Sequence, residues 1–108
     1  MLKQDFITTL NLAAEIFGDK FFCPYNVASS RWETKPQKAF YDAVMVGLSE
    51  QLPHIARLTA LRETIIEETK NLFIAHEAGT FTGRGNSKKD VQERISLFSR
   101  MLANVLSR

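Results

Sequence analysis

Apolar residues recur at helical spacing in four stretches of this chain. In the first stretch, FITTLNLAAEIF, they recur every three or four positions: Ile7, Leu10, Ala14 and Phe17. This spacing predicts an amphipathic helix with those side chains on one face. Gly18 follows the stretch directly and is expected to end the helix, because glycine adopts the left-handed backbone conformation without strain.

The second stretch, PQKAFYDAVMVGLSEQL, predicts a helix whose first turn suits Pro36. Its apolar stripe consists of Phe40, Val44 and Leu48. Small residues lie beside that stripe at every fourth position: Ala39, Ala43 and Gly47. Side chains this small let a neighbouring helix approach closely. Pro53 predicts a break or kink after Leu52, because proline has no backbone N–H and clashes with the preceding turn.

The third stretch, HIARLTALRETIIEETKNLFIAHEA, predicts a helical region with one apolar face: Leu58, Leu61, Ile65, Leu72 and Phe73, with Thr69 inside it. The charged side chains off that face are predicted to be solvated: Arg62, Glu63, Glu67, Glu68 and Lys70. The fourth stretch, SKKDVQERISLFSRMLANVLSR, is the most regular: Val91, Ile95, Phe98, Leu102 and Val105. Ser87 and Asp90 predict a capping box at its start.

These helical stretches, with no convincing strand between them, predict an all-α bundle of about four to five helices in a single domain, residues 1–108. A long loop, DKFFCPYNVASSRWETK, follows the first helix and has neither helical nor strand periodicity. It is rich in aromatic residues: Phe21, Phe22, Tyr25 and Trp32. We expect these rings to pin the loop to the core or to contact a partner, with a stacking platform for bases as an alternative.

Charge is uneven along the chain, although the net charge of +2 argues for neither nucleic acid nor membrane. Residues 84–108 carry six basic and two acidic side chains, a local excess of four positive charges. The candidate contacts to nucleic-acid phosphates in this quarter are Arg84, Lys88, Lys89, Arg94 and Arg100. The first three lie near a predicted helix start, where unpaired N–H groups favour anions.

The glycine-rich segment GTFTGRGNS raises the question of a phosphate-binding loop. A Walker loop leaves a strand and carries a lysine before its serine or threonine, whereas this segment leaves a helix and lacks that lysine. Gly83 and Gly85 are expected to permit turns, and Asn86 with Ser87 to cap the next helix. The segment therefore predicts a helix connection, with backbone phosphate contact as the alternative.

The sequence offers no catalytic constellation. Its one cysteine, Cys23, and its two histidines, His54 and His76, have no spacing typical of a metal site or of a nucleophile with its base. We therefore assign no catalytic residue, no cofactor and no metal. The lone cysteine and the lack of an apolar run of about 18–20 residues predict a cytoplasmic chain that does not cross a membrane.

Several segments, in their order, resemble a known family: FYDAVMVGLSEQL, then a helical hairpin, then GTFTGRGNSKKDVQERISLF. They resemble the C-terminal helical part of a bacterial family of uncharacterised domains whose N-terminal part has a ParB/sulfiredoxin-like fold. That family includes the nucleotide-hydrolysing subunit or domain of modification-dependent, GmrSD-type restriction systems. The likeness covers roughly residues 1–106.

The resemblance implies a detached or truncated helical portion without nucleotide hydrolysis, because the family's Asp-Gly-Gln-Gln-Arg motif is absent. The implied function is a non-catalytic interaction module that docks on a nuclease-fold or NTPase domain of a restriction or phage-defence system. A nucleic-acid-binding module is the alternative, and self-association a further expectation. Family positions in the last helix include Arg94, expected to pair with an acid such as Glu68 or Glu77 or to contact another domain.

Overall fold

The computed structural model describes residues 3–20, 22–76, 80–81 and 87–108. In this part of the chain it contains five α-helices and one antiparallel pair of very short strands. The elements are α1 (Lys3–Phe17), β1 (Tyr25–Asn26), β2 (Arg31–Trp32), α2 (Lys38–Ser49), α3 (Ile55–Ala60), α4 (Arg62–Ala75) and α5 (Lys88–Leu106). The predicted all-α bundle with an aromatic-rich loop after the first helix is confirmed.

The centre of the bundle is the contact between α2 and α5, which is the most extensive in the described structure. The small residues of α2 permit it, since Ala43 is completely buried and Ala39 nearly so. At Gly47 a Cβ atom would lie only 2.7 Å from Cδ1 of Phe98 on α5. The predicted close approach of a second helix is therefore confirmed. We call this contact the α2–α5 seam.

Aromatic rings fill the core beside the seam. Phe40 is fully buried and meets four other phenylalanines nearly edge to face, with ring centroids 5.2 Å from Phe73, 6.3 Å from Phe81, 6.3 Å from Phe98 and 6.4 Å from Phe17. This geometry suits the positive edge and negative face of each ring. The ring of Phe40 thus connects its own helix, α2, with α1, α4 and α5 and with a residue of the segment before α5.

The buried face of α1 differs from the prediction. The structure buries Thr9, Leu12, Ala13, Ile16 and Phe17. Ile7, by contrast, is 48% exposed and Ala14 is exposed, so their assignment to the core-facing side was wrong. Burial of Thr9 is tolerated because its hydroxyl donates a hydrogen bond to the backbone oxygen of Asp5 at 2.6 Å. Gly18 follows the helix with a φ of +54°, as predicted.

The remaining helix boundaries correct the prediction in detail. Pro36 precedes α2, whose N-cap is Gln37, and therefore does not lie in the first turn. Pro53 lies in a 3-10 turn, Leu52–His54, after the helix has ended. The third stretch is two helices, because Leu61 leaves helical geometry between α3 and α4. Its apolar face is nevertheless turned inward as predicted, with Leu58, Ile65 and Thr69 fully buried.

The start of α5 confirms the predicted capping box. The hydroxyl of Ser87 accepts a hydrogen bond from the N–H of Asp90 at 3.1 Å, and Asp90 Oδ2 accepts one from the N–H of Ser87 at 3.2 Å. Phe98, Leu102 and Val105 are buried along the predicted stripe, whereas Val91 and Ile95 are half-buried. None of the helices described here is both long and apolar enough to cross a membrane.

Candidate functional site

The aromatic loop contains a small β-hairpin that its sequence did not reveal. Its two strands pair Tyr25 with Trp32 and Asn26 with Arg31. Side-chain bonding supports the turn, since the N–H of Ser29 donates to Oδ1 of Asn26 at 3.2 Å. Ser30 adopts a positive φ of 56°. Two-residue strands are too short to show alternation, so periodicity could not predict them.

The base of the hairpin is fixed in the core. Phe22 is only 4% exposed, and its ring centroid lies 4.6 Å from that of Tyr41 on α2. Its backbone oxygen accepts a hydrogen bond from the N–H of Gln37 at 3.1 Å. Phe22 therefore anchors the hairpin from inside instead of offering the partner surface predicted for it. Phe21, named with it, lies outside the described residues.

Cys23, next to this anchor, is buried. Burial raises the pKa of its thiol, and the negative charges of Asp19 and Glu33 raise it further. A thiol in such surroundings stays protonated at neutral pH and is a poor nucleophile. A buried, protonated cysteine behaves as a small apolar side chain, and we assign it no catalytic role.

Tyr25 and Trp32 stand side by side above the anchored base. Their ring centroids are 5.3 Å apart and their planes are inclined by 74°. The neighbouring backbone bond, from the N–H of Glu33 to the oxygen of Pro24 at 2.8 Å, makes Tyr25 and Trp32 a non-hydrogen-bonded pair. Side chains in such pairs lie closest together in an antiparallel ladder, which accounts for the contact.

Lys70 of α4 joins the two rings to the bundle. Its ammonium nitrogen lies 5.5 Å from the centroid of the Tyr25 ring, within the range of a cation–π interaction. Tyr25, Trp32 and Lys70 are all half-buried. The two rings are therefore held on one side by β-pairing and on the other by α4.

The polar atoms of these three side chains are unused by the described residues. The Tyr25 hydroxyl, the Trp32 indole N–H and the Lys70 ammonium make no hydrogen bond or ion pair there. Neither the hydroxyl nor the indole nitrogen is shut off from solvent. Indole N–H and ammonium groups only donate, and a hydroxyl donates as well as accepts. The site consequently presents hydrogen-bond donors that have no acceptor among the described residues.

Two exposed aliphatic side chains belong to the same two elements as the rings and Lys70, the hairpin and α4. Val27, in the hairpin turn, is 48% exposed, and Ile74 is 52% exposed. Ile74 comes four residues after Lys70 on α4 and thus lies one turn further along the same helix face. We call the surface formed by Tyr25, Val27, Trp32, Lys70 and Ile74 the hairpin surface. It combines an apolar area with donor groups.

The predicted basic site divides into separate places. Lys88 and Lys89 are exposed in the first turn of α5. The carboxylate of Asp90 lies beside them and accepts the Ser87 hydroxyl at 2.7 Å. Hydrogen bonds from Ser87 hold the pKa of Asp90 below its usual range, so a negative charge caps this helix start. That charge repels the phosphate that the lysines would attract.

Neither Arg94 nor Arg100 extends that site into a stripe. Arg94 is only 2% exposed and lies in the core, which removes it from the surface predicted for it. Arg100 is exposed, ten or more residues further along α5 than the two lysines. Arg84 lies outside the described residues. The structure therefore places two of the five candidates together, Lys88 and Lys89.

A polar network at the far end of α5 was missed by sequence reasoning. Arg108 Nη2 lies 2.9 Å from Oε2 of Glu68, and Arg57 Nη2 donates to the backbone oxygen of Arg108 at 2.8 Å. Hydrogen bonding to Arg108, and then to Asn71, lowers the pKa of Glu68. Glu68 thus pairs with Arg108 and not with Arg94, and Glu77 lies outside the described residues. Glu68 and Arg108 are 40 residues apart, and the local sequence pattern around either residue does not predict their contact.

The described residues contain no group of three His, Cys, Asp or Glu side chains placed to hold a metal ion. Comparisons of the chain with protein-family models, with curated proteins and with solved structures gave no match.

Proposed function

We propose that this chain is a protein-interaction module that binds its partner through the hairpin surface. One observation carries the proposal: two adjacent aromatic side chains and a lysine are held half-exposed with their donor atoms unused by the described residues. Tryptophan and tyrosine contribute most often to the energetic centre of protein interfaces, because each buries a large ring and directs a polar tip.

The fixed position of the rings supports binding. Phe22 and the pairing of β1 with β2 anchor the hairpin from below, and Lys70 contacts Tyr25 from α4. A surface that is already ordered loses little side-chain entropy when a partner binds, so more of the contact energy contributes to affinity. The two rings are therefore preorganised for binding in the free chain.

The resemblance of the helical segments gives this module its proposed setting. We place it in a restriction or phage-defence system, docked on a nuclease-fold or NTPase domain and without catalysis of its own. The alternative, binding to a nucleic-acid backbone, receives less support. The described basic residues are dispersed, Arg94 is buried, and the carboxylate of Asp90 lies beside Lys88 and Lys89.

A site-specific photo-cross-linking experiment tests the proposal. The photoreactive residue p-benzoylphenylalanine replaces Val27, or as a matched control Ile7, because both positions are 48% exposed. Each chain is expressed in bacterial cells with the nuclease-fold or NTPase domain of a GmrSD-type restriction system. We expect a heterologous adduct from position 27, none from position 7, and loss of the adduct in the Tyr25→Ala/Trp32→Ala variant.

Other outcomes would contradict the proposal. No adduct, an adduct from position 7 alone, or an adduct between two copies of the chain would remove the hairpin surface as a site for that partner. Titration with double-stranded and single-stranded DNA across a salt series tests the alternative. Affinity that falls steeply with salt and disappears in Lys88→Ala/Lys89→Ala would favour nucleic-acid binding.

A further inference from the structure

Resting on the proposed function, we infer that the hairpin surface binds an extended, acidic segment of the partner protein. A carboxylate of that segment pairs with Lys70, and a backbone carbonyl accepts the indole N–H of Trp32. Apolar side chains on either side of the carboxylate contact Val27 and Ile74. Three features of the surface specify this ligand chemistry.

The first feature is the electrostatic state of Lys70. Lys70 is half-buried, its ammonium lies 5.5 Å from the centroid of the Tyr25 ring, and within the described part of the chain no carboxylate lies within 4 Å of it. Glu67, three residues earlier on α4, is exposed and makes no ion pair with it. An interface that covers Lys70 without supplying a negative group would remove the charge from water uncompensated, at a considerable cost in free energy. An aspartate or glutamate of the partner removes that cost.

The second feature is the excess of donors. The indole nitrogen and the ammonium only donate, so a partner that covers them must bring acceptors. In a helical partner the backbone carbonyls are already bonded within the helix. In an extended segment they are free, because that conformation has no internal hydrogen bonds. An extended backbone therefore matches the donors of this surface better than a helix.

The third feature is the charge distribution around the hairpin. The carboxylate of Glu33 already accepts a hydrogen bond from the Asn26 amide at 2.7 Å. Asn26 directly follows Tyr25, and Glu33 directly follows Trp32. Because successive side chains of a strand point to opposite faces, Asn26 and Glu33 lie on the face of the hairpin opposite the two rings. The ring-bearing face therefore carries the positive charge of Lys70, and an acidic partner segment complements it.

Selection from a library of random linear peptides displayed on phage tests the inference. The target is the whole chain, and peptides that also bind the Tyr25→Ala/Trp32→Ala variant are discarded. We expect the survivors to share an aspartate or glutamate flanked by apolar residues. Trp32 is the single tryptophan of the chain, so its fluorescence reports the titration of a synthetic survivor peptide. Its indole N–H resonance should move downfield as the carbonyl binds.

Charge reversal then separates recognition from folding. Lys70→Glu is expected to weaken the acidic peptide by at least about tenfold, and a peptide with lysine in place of its acid should recover binding to that variant. A variant that had merely misfolded would bind neither peptide. Phe6→Ala, at an exposed position of α1 that is not part of the hairpin surface, serves as the control and should leave the affinity unchanged.

The possible failures are distinguishable. Surviving peptides without an acid, or an affinity that Lys70→Glu leaves unchanged, would overturn the inference and leave the interaction surface in place. A cross-link from position 27 together with no surviving peptide would show a folded docking surface on the partner and would also overturn it. Absence of both the cross-link and the peptides would remove the proposed function itself.

Discussion

The α2–α5 seam and the hairpin surface both depend on aromatic side chains, but they place them differently. In the seam, Phe40 and Phe98 are completely enclosed and carry no polar atom. In the hairpin surface, Tyr25 and Trp32 stay half-exposed and direct polar atoms outward. Enclosed rings contribute stability through burial, whereas half-exposed rings with polar tips keep contact area for another molecule. The molecule thus separates the residues that fold it from those proposed to bind.

The largest expected effect is at the centre of the seam. Phe98→Ala should lower the free energy of unfolding by about 3–5 kcal/mol, because it removes a fully buried ring and leaves a cavity. Chemical denaturation followed by circular dichroism measures it. A loss below about 1 kcal/mol would mean that the ring is not enclosed in solution, since surface substitutions have effects of that size.

The next effect concerns the distance between α2 and α5. Gly47→Ala adds a methyl group whose carbon would lie 2.7 Å from Cδ1 of Phe98. Overpacking of about 1–3 kcal/mol should outweigh the gain of about 1 kcal/mol in helix propensity, for a net loss near 1 kcal/mol. Denaturant unfolding of the variant gives the sign.

A second variant assigns that loss to the ring. In a Phe98→Val background the side chain has no δ-carbon and the clash is relieved, so Gly47→Ala should become neutral or stabilising. A stabilising effect of Gly47→Ala in the unaltered chain would contradict the close approach. Equal losses in both backgrounds would assign the effect to another neighbour, since residues in contact should show a coupling energy.

A smaller effect on stability is expected from the hairpin surface. Trp32→Ala should cost about 1 kcal/mol, because it removes the edge-to-face contact with Tyr25 but leaves Phe22 anchoring the hairpin. Thermal unfolding of this variant beside Phe98→Ala compares the two regions directly. If Trp32→Ala unfolded the chain, the separation of folding residues from binding residues would fail.

The smallest effect is pH-dependent and lies outside both regions. Arg108 lowers the pKa of Glu68, so the folded state favours the ionised carboxylate. The resulting stability is fully present above glutamate's ordinary pKa of about 4.3 and is lost as the pH falls through the lower folded value. Because half of Arg108 is exposed, we expect a few tenths of a kcal/mol.

Glu68→Gln isolates this contribution. The variant should be slightly less stable than the parent at pH 7, and the difference should disappear once the pH falls below the lowered pKa of Glu68. Thermal unfolding at several pH values measures the difference, with Glu63→Gln as the control for an acid of the same helix that is more exposed. A difference that persists unchanged in acid would exclude the ion pair as its source.

Helix α1 shows where periodicity was ambiguous. Its sequence contains two overlapping apolar stripes, one with Ile7 and Ala14 and one with Leu12 and Ile16. The second stripe includes Thr9, and because threonine is polar this stripe was not identified as the buried one. In the fold the Thr9 hydroxyl donates a hydrogen bond to a backbone oxygen, so its burial is tolerated. Both stripes satisfy helical spacing, so only packing against the other helices could choose between them.

The hairpin surface shows a different limit. Its aromatic residues were identified in the sequence, and their partner role stays a prediction. Phe22 and Trp32 could not be told apart there, yet one is buried as an anchor and the other half-exposed. Lys70 was predicted only as part of a solvated face. Its position over Tyr25 joins residues 45 apart in sequence, which no local pattern encodes.

The sequence alone determined the features that depend on neighbours along the chain: the helical class, the capping box at Ser87, the positive φ at Gly18 and the small residues that admit α5. These follow from helix periodicity and backbone sterics, which act over a few residues. The tertiary structure alone decided which apolar stripe of α1 is buried, where Arg94 lies, and which side chains form the hairpin surface. Those outcomes depend on the packing of distant segments against each other, because the burial of a side chain and its ion-pair partners are determined by residues far away in the sequence.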